Sequence, residues 1–278
     1  MENNEQNVNM AKKGAGFLII IVALLIALLG LGGYLIYDKF IAPEEDNKKT
    51  EEKEKKEEKK EEKETALDVT SKEVTDLFSS ITTGWNKYCG VNNYFTDKKV
   101  TTTDIDNDLA SSIMLYNLIK SGVKYDEGST FTKKQVEDTI IKLFGKNYKY
   151  TYKTINSCPS FTYDASKEVY TAGPSGCGGT CGATVMKKVV KAIKTDSKMV
   201  LYVRVLFPGD KESVDENNRP YMKYYKYNSD EELQLDRIPG NYLPEEKDTN
   251  YQKGSLYKMT FTKEDNNYVF TSSEPVNE

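Results

Sequence analysis

An uncharged apolar segment near the N-terminus constrains this chain more than any other feature. Residues Phe17 to Tyr37 form a run of 21 residues without a charged side chain. At about 1.5 Å rise per residue, a helix of this length spans roughly 30 Å, the thickness of a bilayer core. Tyr34 and Tyr37 lie at one end, where amphipathic rings favour the membrane interface. The segment therefore predicts a transmembrane helix over residues 17–37.

A cleaved signal peptide is the alternative interpretation of the same segment. Its apolar region spans about 7–15 residues and is followed by an Ala-x-Ala-like cleavage site. Here the apolar run is longer, and the residues before Pro43 are Phe40, Ile41 and Ala42. Length and cleavage site together favour an uncleaved signal-anchor that crosses the membrane once.

A charged segment separates the apolar run from the rest of the chain. From Glu44 to Glu64 the sequence is almost entirely Glu and Lys. Without apolar side chains to bury, no packing offsets the entropy of ordering this stretch. It also lacks the apolar seam of a coiled coil. We therefore expect a disordered linker over residues 38–66.

Two arguments about orientation disagree. Lys12 and Lys13 precede the apolar run, but the linker adds more lysines on the other side, so a literal positive-inside count favours a cytoplasmic domain. Large downstream domains translocate largely regardless of charge, and the cysteines favour an oxidising compartment. We expect a cytoplasmic tail over residues 1–16 and an extracytoplasmic domain over residues 67–278. Ala23 and Ala27 have the small-xxx-small spacing of a helix dimer face, a weak indication of a homodimer.

Histidine is absent from the entire sequence, and this excludes several kinds of site. Histidine is the usual base beside a Ser or Cys nucleophile and the commonest zinc ligand. Imidazole-based triads and dyads and mixed Cys/His zinc sites are therefore ruled out. The net charge of -4 gives no basic field that would indicate nucleic-acid binding.

Three amphipathic helices are predicted in the first half of the domain. Thr70-x-x-Glu73 has the pattern of a capping box and precedes apolar residues at helical spacing from about Ser71 to Lys87. A second helix is expected from Ile105 to Ser121. A third begins at Thr132, with Gln135 as its capping partner and Gly145 placed to end it.

The period of the apolar residues changes from 3.6 to 2 after Gly145, which predicts strands. We expect a half-buried strand through Tyr148, Tyr150 and Tyr152, hairpins around residues 164–166 and 257–270, a central strand over residues 199–207 and a strand over 185–194. Helices followed by antiparallel strands indicate an α+β domain. N-terminal helices packed on a curved antiparallel sheet, as in NTF2-like or cystatin-like cones, are the preferred topology.

The domain carries four cysteines, and an even number outside the cytoplasm favours two disulfides. Three connectivities are possible, and in one of them Cys158 and Cys177 meet across a hairpin and Cys89 pairs with Cys181. Free thiols and a four-thiolate zinc site are the alternatives, and the three-residue gap between Cys177 and Cys181 disfavours zinc. The Gly-rich stretch 173–182 lacks the ending of a P-loop and is interpreted as a tight loop. No metal or cofactor is expected.

Candidate catalytic residues are sparse. Ser121-x-x-Lys124 and Ser255-x-x-Lys258 have the spacing of Ser–Lys nucleophile pairs, but the motifs that accompany such pairs are absent. Asp104 to Asp108 resembles the start of a calcium loop without its glycine and closing glutamate, so acidic residues at a helix start are the simpler interpretation. No catalytic, metal or cofactor-binding residue is assigned.

Residues from Phe144 to Pro275 resemble a group of uncharacterised, membrane-anchored proteins of low-GC Gram-positive bacteria. The resemblance rests on Phe144-Gly145, on Cys158-Pro-x-Phe-x-Tyr-Asp164, on Cys177-Gly-Gly-x-Cys181, and on the patterns Tyr257-x-Met-x-Phe261 and Tyr268-x-Phe270. It implies a cell-surface location and transfers no functional residue.

Three functions are compatible with these observations. The first is a non-catalytic envelope domain that binds a ligand, protein or glycan through a pocket or an aromatic face. The second is a histidine-free envelope enzyme of Ser–Lys or carboxylate type. The third is a membrane-tethered regulatory or assembly component whose anchor helix associates. We favour the first.

Overall fold

The fold is known from a computed structural model that describes residues 62–85, 91–174 and 185–277. These residues form an α+β domain with antiparallel sheets, which confirms the predicted class. The predicted anchor helix over 17–37 and most of the linker lie outside them. Within the described ranges, no helix combines the length and apolar character needed to cross a bilayer.

Three helices of several turns precede the main strands. They are α1 (Lys72–Thr82), α2 (Asn107–Lys120) and α3 (Lys133–Phe144), and a single turn, α4 (Asp248–Tyr251), follows much later. A 3₁₀ turn (Thr102–Asp104) precedes α2. In α2 the inward residues Leu109, Ile113 and Leu118 are buried, as their spacing predicts. Residues 109–115 are all buried, however, so α2 is enclosed on most sides and is not the amphipathic helix that the sequence predicts.

Helix α3 begins and ends as predicted. The Thr132 hydroxyl accepts from the backbone N–H of Gln135 at 3.2 Å, and the Gln135 side chain accepts from the N–H of Thr132 at 2.8 Å. Gly145 closes the helix with a φ of 85°, and its N–H donates to the carbonyl of Ile141 at 2.9 Å. This reciprocal cap satisfies backbone donors that the first turn leaves unpaired.

Helix α1 departs from its prediction at both ends. Its N-cap residue is Ser71, without a side-chain cap, and the hydroxyl of Thr70 donates to Asp68 instead, so the predicted capping box is wrong. The carboxylate of Glu73 does not cap the helix and instead forms an ion pair with Lys194. The helix ends at Thr82, earlier than the predicted Lys87, and the chain turns so that the N–H of Val91 reaches the carbonyl of Thr82.

The larger sheet has the strand order β1-β6-β7-β9-β10-β2, and β8 pairs with the far half of β7. Its antiparallel strands are β1 (Thr65–Leu67), β2 (Val100–Thr101), β6 (Met186–Lys194), β7 (Lys198–Val214), β8 (Pro220–Tyr225), β9 (Ser255–Glu264) and β10 (Asn267–Pro275). The predicted central strand and closing hairpin are confirmed as β7 and as β9 with β10. The sheet begins at Thr65, two residues before the predicted start of the domain.

The smaller sheet has the order β3-β5-β4 and contains β3 (Thr130–Thr132), β4 (Phe161–Asp164) and β5 (Val169–Ala172). Strands β4 and β5 form the predicted hairpin. Phe131 stacks on Tyr170 with ring centroids 5.1 Å apart, and both rings are buried. Aromatic packing of this kind joins the small sheet to the core of the domain.

The predicted strand through Tyr148, Tyr150 and Tyr152 is not part of either sheet. The tyrosines are half-buried and the residues between them are exposed, as the alternation indicates. A side chain replaces the neighbouring strand: Asn107 donates to the carbonyl of Thr151 at 3.1 Å and accepts from its N–H at 2.7 Å. A period of 2 reports which side chains face the core and does not identify a pairing partner.

The segment between β7 and β9 forms structure that the sequence patterns do not predict. Strand β8 and the loop after it bury a second apolar cluster that includes Met222, Tyr224 and Tyr251. Asn250 is fully buried and holds the loop, since its amide donates to the carbonyls of Asp236 and Glu245 at 3.0 and 2.8 Å.

Candidate functional site

A cleft of about 380 Å³ lies where the three main helices meet one end of the larger sheet. Its walls come from α1, from the last residues of α2 and α3, and from the turn between β9 and β10. Ligand sites are typically concave, largely apolar and supplied with a few convergent polar groups. This cleft has those properties and is the candidate site.

The floor of the cleft is apolar. Leu77 of α1, Leu143 of α3 and Met199 of β7 line it, and Met199 and Leu143 belong to the buried core. These residues face inward because they continue the apolar faces of their own helices and strand. Their rigidity follows from burial, so the floor is held by the fold.

One wall, on α1, carries two carboxylates, and each is paired with lysine. Glu73 pairs with Lys194 at 2.6 Å. Asp76 pairs with Lys72 and, at 3.2 Å, with Lys120 of α2. The hydrogen bond from Lys72, followed by that from Lys120, lowers the pKa of Asp76 from its usual value.

The α2 wall presents an oriented amide. Both N–H groups of Asn117 are used, since Nδ2 donates to the carbonyls of Ser80 and Ile113, each at 2.8 Å. Asn117 lines the cleft, and its remaining polar atom, Oδ1, is a hydrogen-bond acceptor. The bond to Ser80 also joins α2 to α1, so the amide cannot rotate without losing helix contacts.

The opposite wall presents a cation and a phenol. Lys142, in the last turn of α3, and Tyr268, at the start of β10, both line the cleft. Asn267 donates to the carbonyl of Lys142 at 2.5 Å and so fixes the end of α3 against the β9–β10 turn. Lys194 lies over the Tyr268 ring at 5.6 Å.

Ser121 lines this cleft, but Lys124, which has the spacing of a Ser–Lys pair with it, does not. The Ser121 hydroxyl donates to the carbonyl of Leu118 at 2.6 Å, and Lys124 is exposed outside the cleft. Ser255 accepts from the N–H of Tyr227 at 3.0 Å, while Lys258 donates to Glu274 at 3.0 Å. Neither Ser–Lys pair is assembled.

The acidic residues around the start of α2 serve local structure: Asp106 caps α2, and Asp104 caps the 3₁₀ turn before it. Asp106 accepts from the N–H of Leu109 at 2.8 Å, and Asp104 accepts from the N–H of Thr101 at 2.7 Å. Asp108 pairs with Lys153 at 3.0 Å. Within the described ranges, no three His, Cys, Asp or Glu side chains are grouped so that they would hold a metal ion.

Of the four candidate cysteines, only Cys158 lies among the described residues, and it is disulfide-bonded. Cys89, Cys177 and Cys181 lie outside them, as does most of the Gly-rich stretch. The pairing of these cysteines therefore stays a prediction.

A second hollow of about 490 Å³ lies beside β10. Phe144, Tyr148 and Phe270 form its apolar part, and its rim is mostly threonine hydroxyls. Lys149 and Glu264 also line this hollow, but the cleft combines two carboxylates, two lysines and an amide whose donors are both used, so the cleft is the stronger candidate.

Sequence patterns contain a partial signal for the cleft. Asn117 is a polar residue between apolar helix positions, and a half-buried amide there needs partners. The sequence alone does not distinguish Glu73 and Asp76 from ordinary surface acids, because their ion pairs are with Lys120 and Lys194, far away along the chain. No family model, curated protein or solved structure compared with the chain matches it.

Proposed function

We propose that this chain is a membrane-anchored extracytoplasmic protein whose domain binds a ligand in the cleft without catalysing a reaction. The observation that carries the proposal is a cleft of about 380 Å³ with an apolar floor and charged walls. Its size falls within the range of roughly 300–1,000 Å³ that is typical of small-molecule sites. Its polar groups are held by helix contacts, and such preorganisation lowers the entropy cost of binding.

A histidine-free enzyme is the second candidate, and the geometry supports it less. A Ser–Lys mechanism needs the amine within hydrogen-bond reach of the hydroxyl. Ser121 donates to a helix carbonyl and Lys258 donates to Glu274, so each is committed elsewhere. In the carboxylate version, Asp76 would need a raised pKa to act as an acid, but its pKa is lowered.

The anchor and the sheet topology complete the proposal. The uncharged run over 17–37 supplies the anchor, and the cysteines support an extracytoplasmic domain. The helices are proposed to pack on a curved sheet in the manner of NTF2-like or cystatin-like cones. Association through Ala23 and Ala27, as in a regulatory or assembly component, is compatible with this role.

Hydrogen-exchange mass spectrometry of the full chain in lipid nanodiscs tests the cleft. A screen of small peptides, sugars and organic acids should yield a ligand that slows exchange in α1, at the end of α2 and in the β9–β10 turn. Asn266→Trp places a large ring at the cleft and should abolish that protection. Lys263→Trp, on an exposed neighbouring position outside the cleft, should not.

Two results would contradict the proposal. One is that no compound protects the cleft segments, and the other is that every bound compound protects the Asn266→Trp variant equally. Turnover of a screened compound that depends on Ser121 would favour the enzyme instead.

A further inference from the structure

The two sides of the cleft differ in hydrogen-bonding character. The α2 side presents Oδ1 of Asn117, whose amide donors are both used by backbone carbonyls. An acceptor fixed in this way selects a ligand that carries an N–H or O–H donor. Because Asn117 is half-buried, a donor that reaches it leaves water, which strengthens the preference for a good match.

One lysine of the cleft has no acidic partner. Four charged side chains line the cleft, and their charges balance: Glu73 and Asp76 are acidic, and Lys120 and Lys142 are basic. Glu73 pairs with Lys194, and Asp76 pairs with Lys120. Among the described residues no ion pair involves Lys142. The ammonium group of Lys142 therefore favours an anionic group on the ligand close to it.

The floor between these groups is apolar, and it excludes ligands that are polar on all sides. Leu77, Leu143 and Met199 cannot hydrogen-bond to a sugar face or to a bare inorganic anion. Leu77 is only partly buried, so it offers apolar area that a ligand can cover with aliphatic or aromatic surface.

Resting on the proposed function, we infer that the ligand is a short apolar peptide with a free terminal carboxylate. The carboxylate lies at Lys142, the side chains cover the floor, and a peptide N–H donates to Asn117. One molecule then satisfies all three features, and a di- or tripeptide suits a cleft of about 380 Å³. A fatty acid would share the anion and the apolar body but lacks the N–H donor.

Isothermal titration of the full chain in nanodiscs tests this ligand class with three probes. They are the dipeptide Leu-Leu, its C-terminal amide, and octanoate. Leu-Leu should bind at least about tenfold more tightly than the amide, because loss of a charged hydrogen bond has an effect of that order. Octanoate should also bind more weakly than Leu-Leu, since it leaves Asn117 without a donor.

Variants test whether Lys142 binds the carboxylate of the ligand. Lys142→Gln should lower Leu-Leu affinity to that of the amide and leave the amide unchanged. Lys149→Gln is the matched control, because Lys149 is an exposed lysine outside the cleft, and it should bind like the unmodified chain. Empty nanodiscs correct for partition of octanoate into lipid.

The outcomes separate the ligand class from the existence of the site. Equal affinity for Leu-Leu and its amide overturns the carboxylate assignment, and tighter binding of octanoate overturns the peptide in favour of a fatty acid. If none of the probes binds while another compound protects the cleft in hydrogen exchange, the ligand class is wrong and the binding function stands. If no compound protects the cleft, both fail.

Discussion

Lys187 of β6 is a lysine held in the interior without a counter-charge. Its ammonium group donates to the carbonyls of Thr82 and Val91 at 3.0 and 3.2 Å, and no ion pair to it exists among the described residues. Burial lowers the pKa of Lys187 from 10.5 to about 8. Thr82 is the last residue of α1, and Val91 lies where the chain returns to the core. Lys187 therefore joins these two segments, at the cost of removing its charge from water.

The buried amine makes stability depend on pH. Between pH 8 and pH 10 the unfolded chain binds a proton at this lysine that the folded chain does not, so the free energy of unfolding should rise with pH. The full shift corresponds to about 3 kcal/mol. Above pH 10 the trend should reverse, because burial raises the pKa of Tyr150 to about 12 and the unfolded tyrosine ionises first.

Lys187→Met should remove the rise, and Lys191→Met, an exposed lysine of the same strand, should keep it. Urea unfolding of each protein at intervals from pH 7 to pH 10 measures the slope. An unchanged slope in Lys187→Met would show that another group titrates.

The elements of this fold differ in how far their own sequence determines them. The cap, the apolar period and the terminal glycine of α3 all lie between Thr132 and Gly145. Both ends of this helix could therefore be predicted from its own sequence. The segment through Tyr150 shows the right alternation, but its partner is the Asn107 side chain from another part of the chain. The cleft shows the same contrast, because Lys120 reaches Asp76 only after α1 and α2 have packed.

The end of α3 gives a prediction at this scale. Gly145 has a φ of 85°, and a Cβ there would lie 2.6 Å from Oε1 of Glu264. Gly145→Ala should therefore destabilise the domain by about 1–3 kcal/mol, from backbone strain and from displacing the carboxylate. Thermal unfolding of the full chain followed by circular dichroism measures the loss.

Gly122→Ala is the matched control, since φ is also positive at 98° but no atom lies within 4 Å of an added Cβ. The double variant Gly145→Ala with Glu264→Ala should lose about as much stability as Gly122→Ala. If Gly145→Ala melts like the unmodified chain, this account of the helix end is wrong.

At the scale of the molecule, the register of the sheet relates the cleft to the linker. Strand β1 pairs antiparallel with β6, and Glu62 accepts from the hydroxyl of Ser197 at 2.8 Å in the β6–β7 turn. Lys198 is paired with Thr262, so the β9–β10 turn lies at the same end of the sheet. The cleft and the N-terminal entry into the domain therefore lie at the same end of the sheet.

Orientation and cysteine pairing are best tested together, on intact cells that express the full chain. With the domain outside and its cysteines paired, a membrane-impermeant maleimide should label nothing until reductant is added, and then all four cysteines. Asn9→Cys supplies an internal control, because a thiol in the cytoplasmic tail should react only after lysis. Labelling of all four cysteines without reductant would refute the disulfides. If the four native cysteines instead behave like Asn9→Cys, the domain is cytoplasmic, and the ligand of the cleft would have to be sought inside the cell.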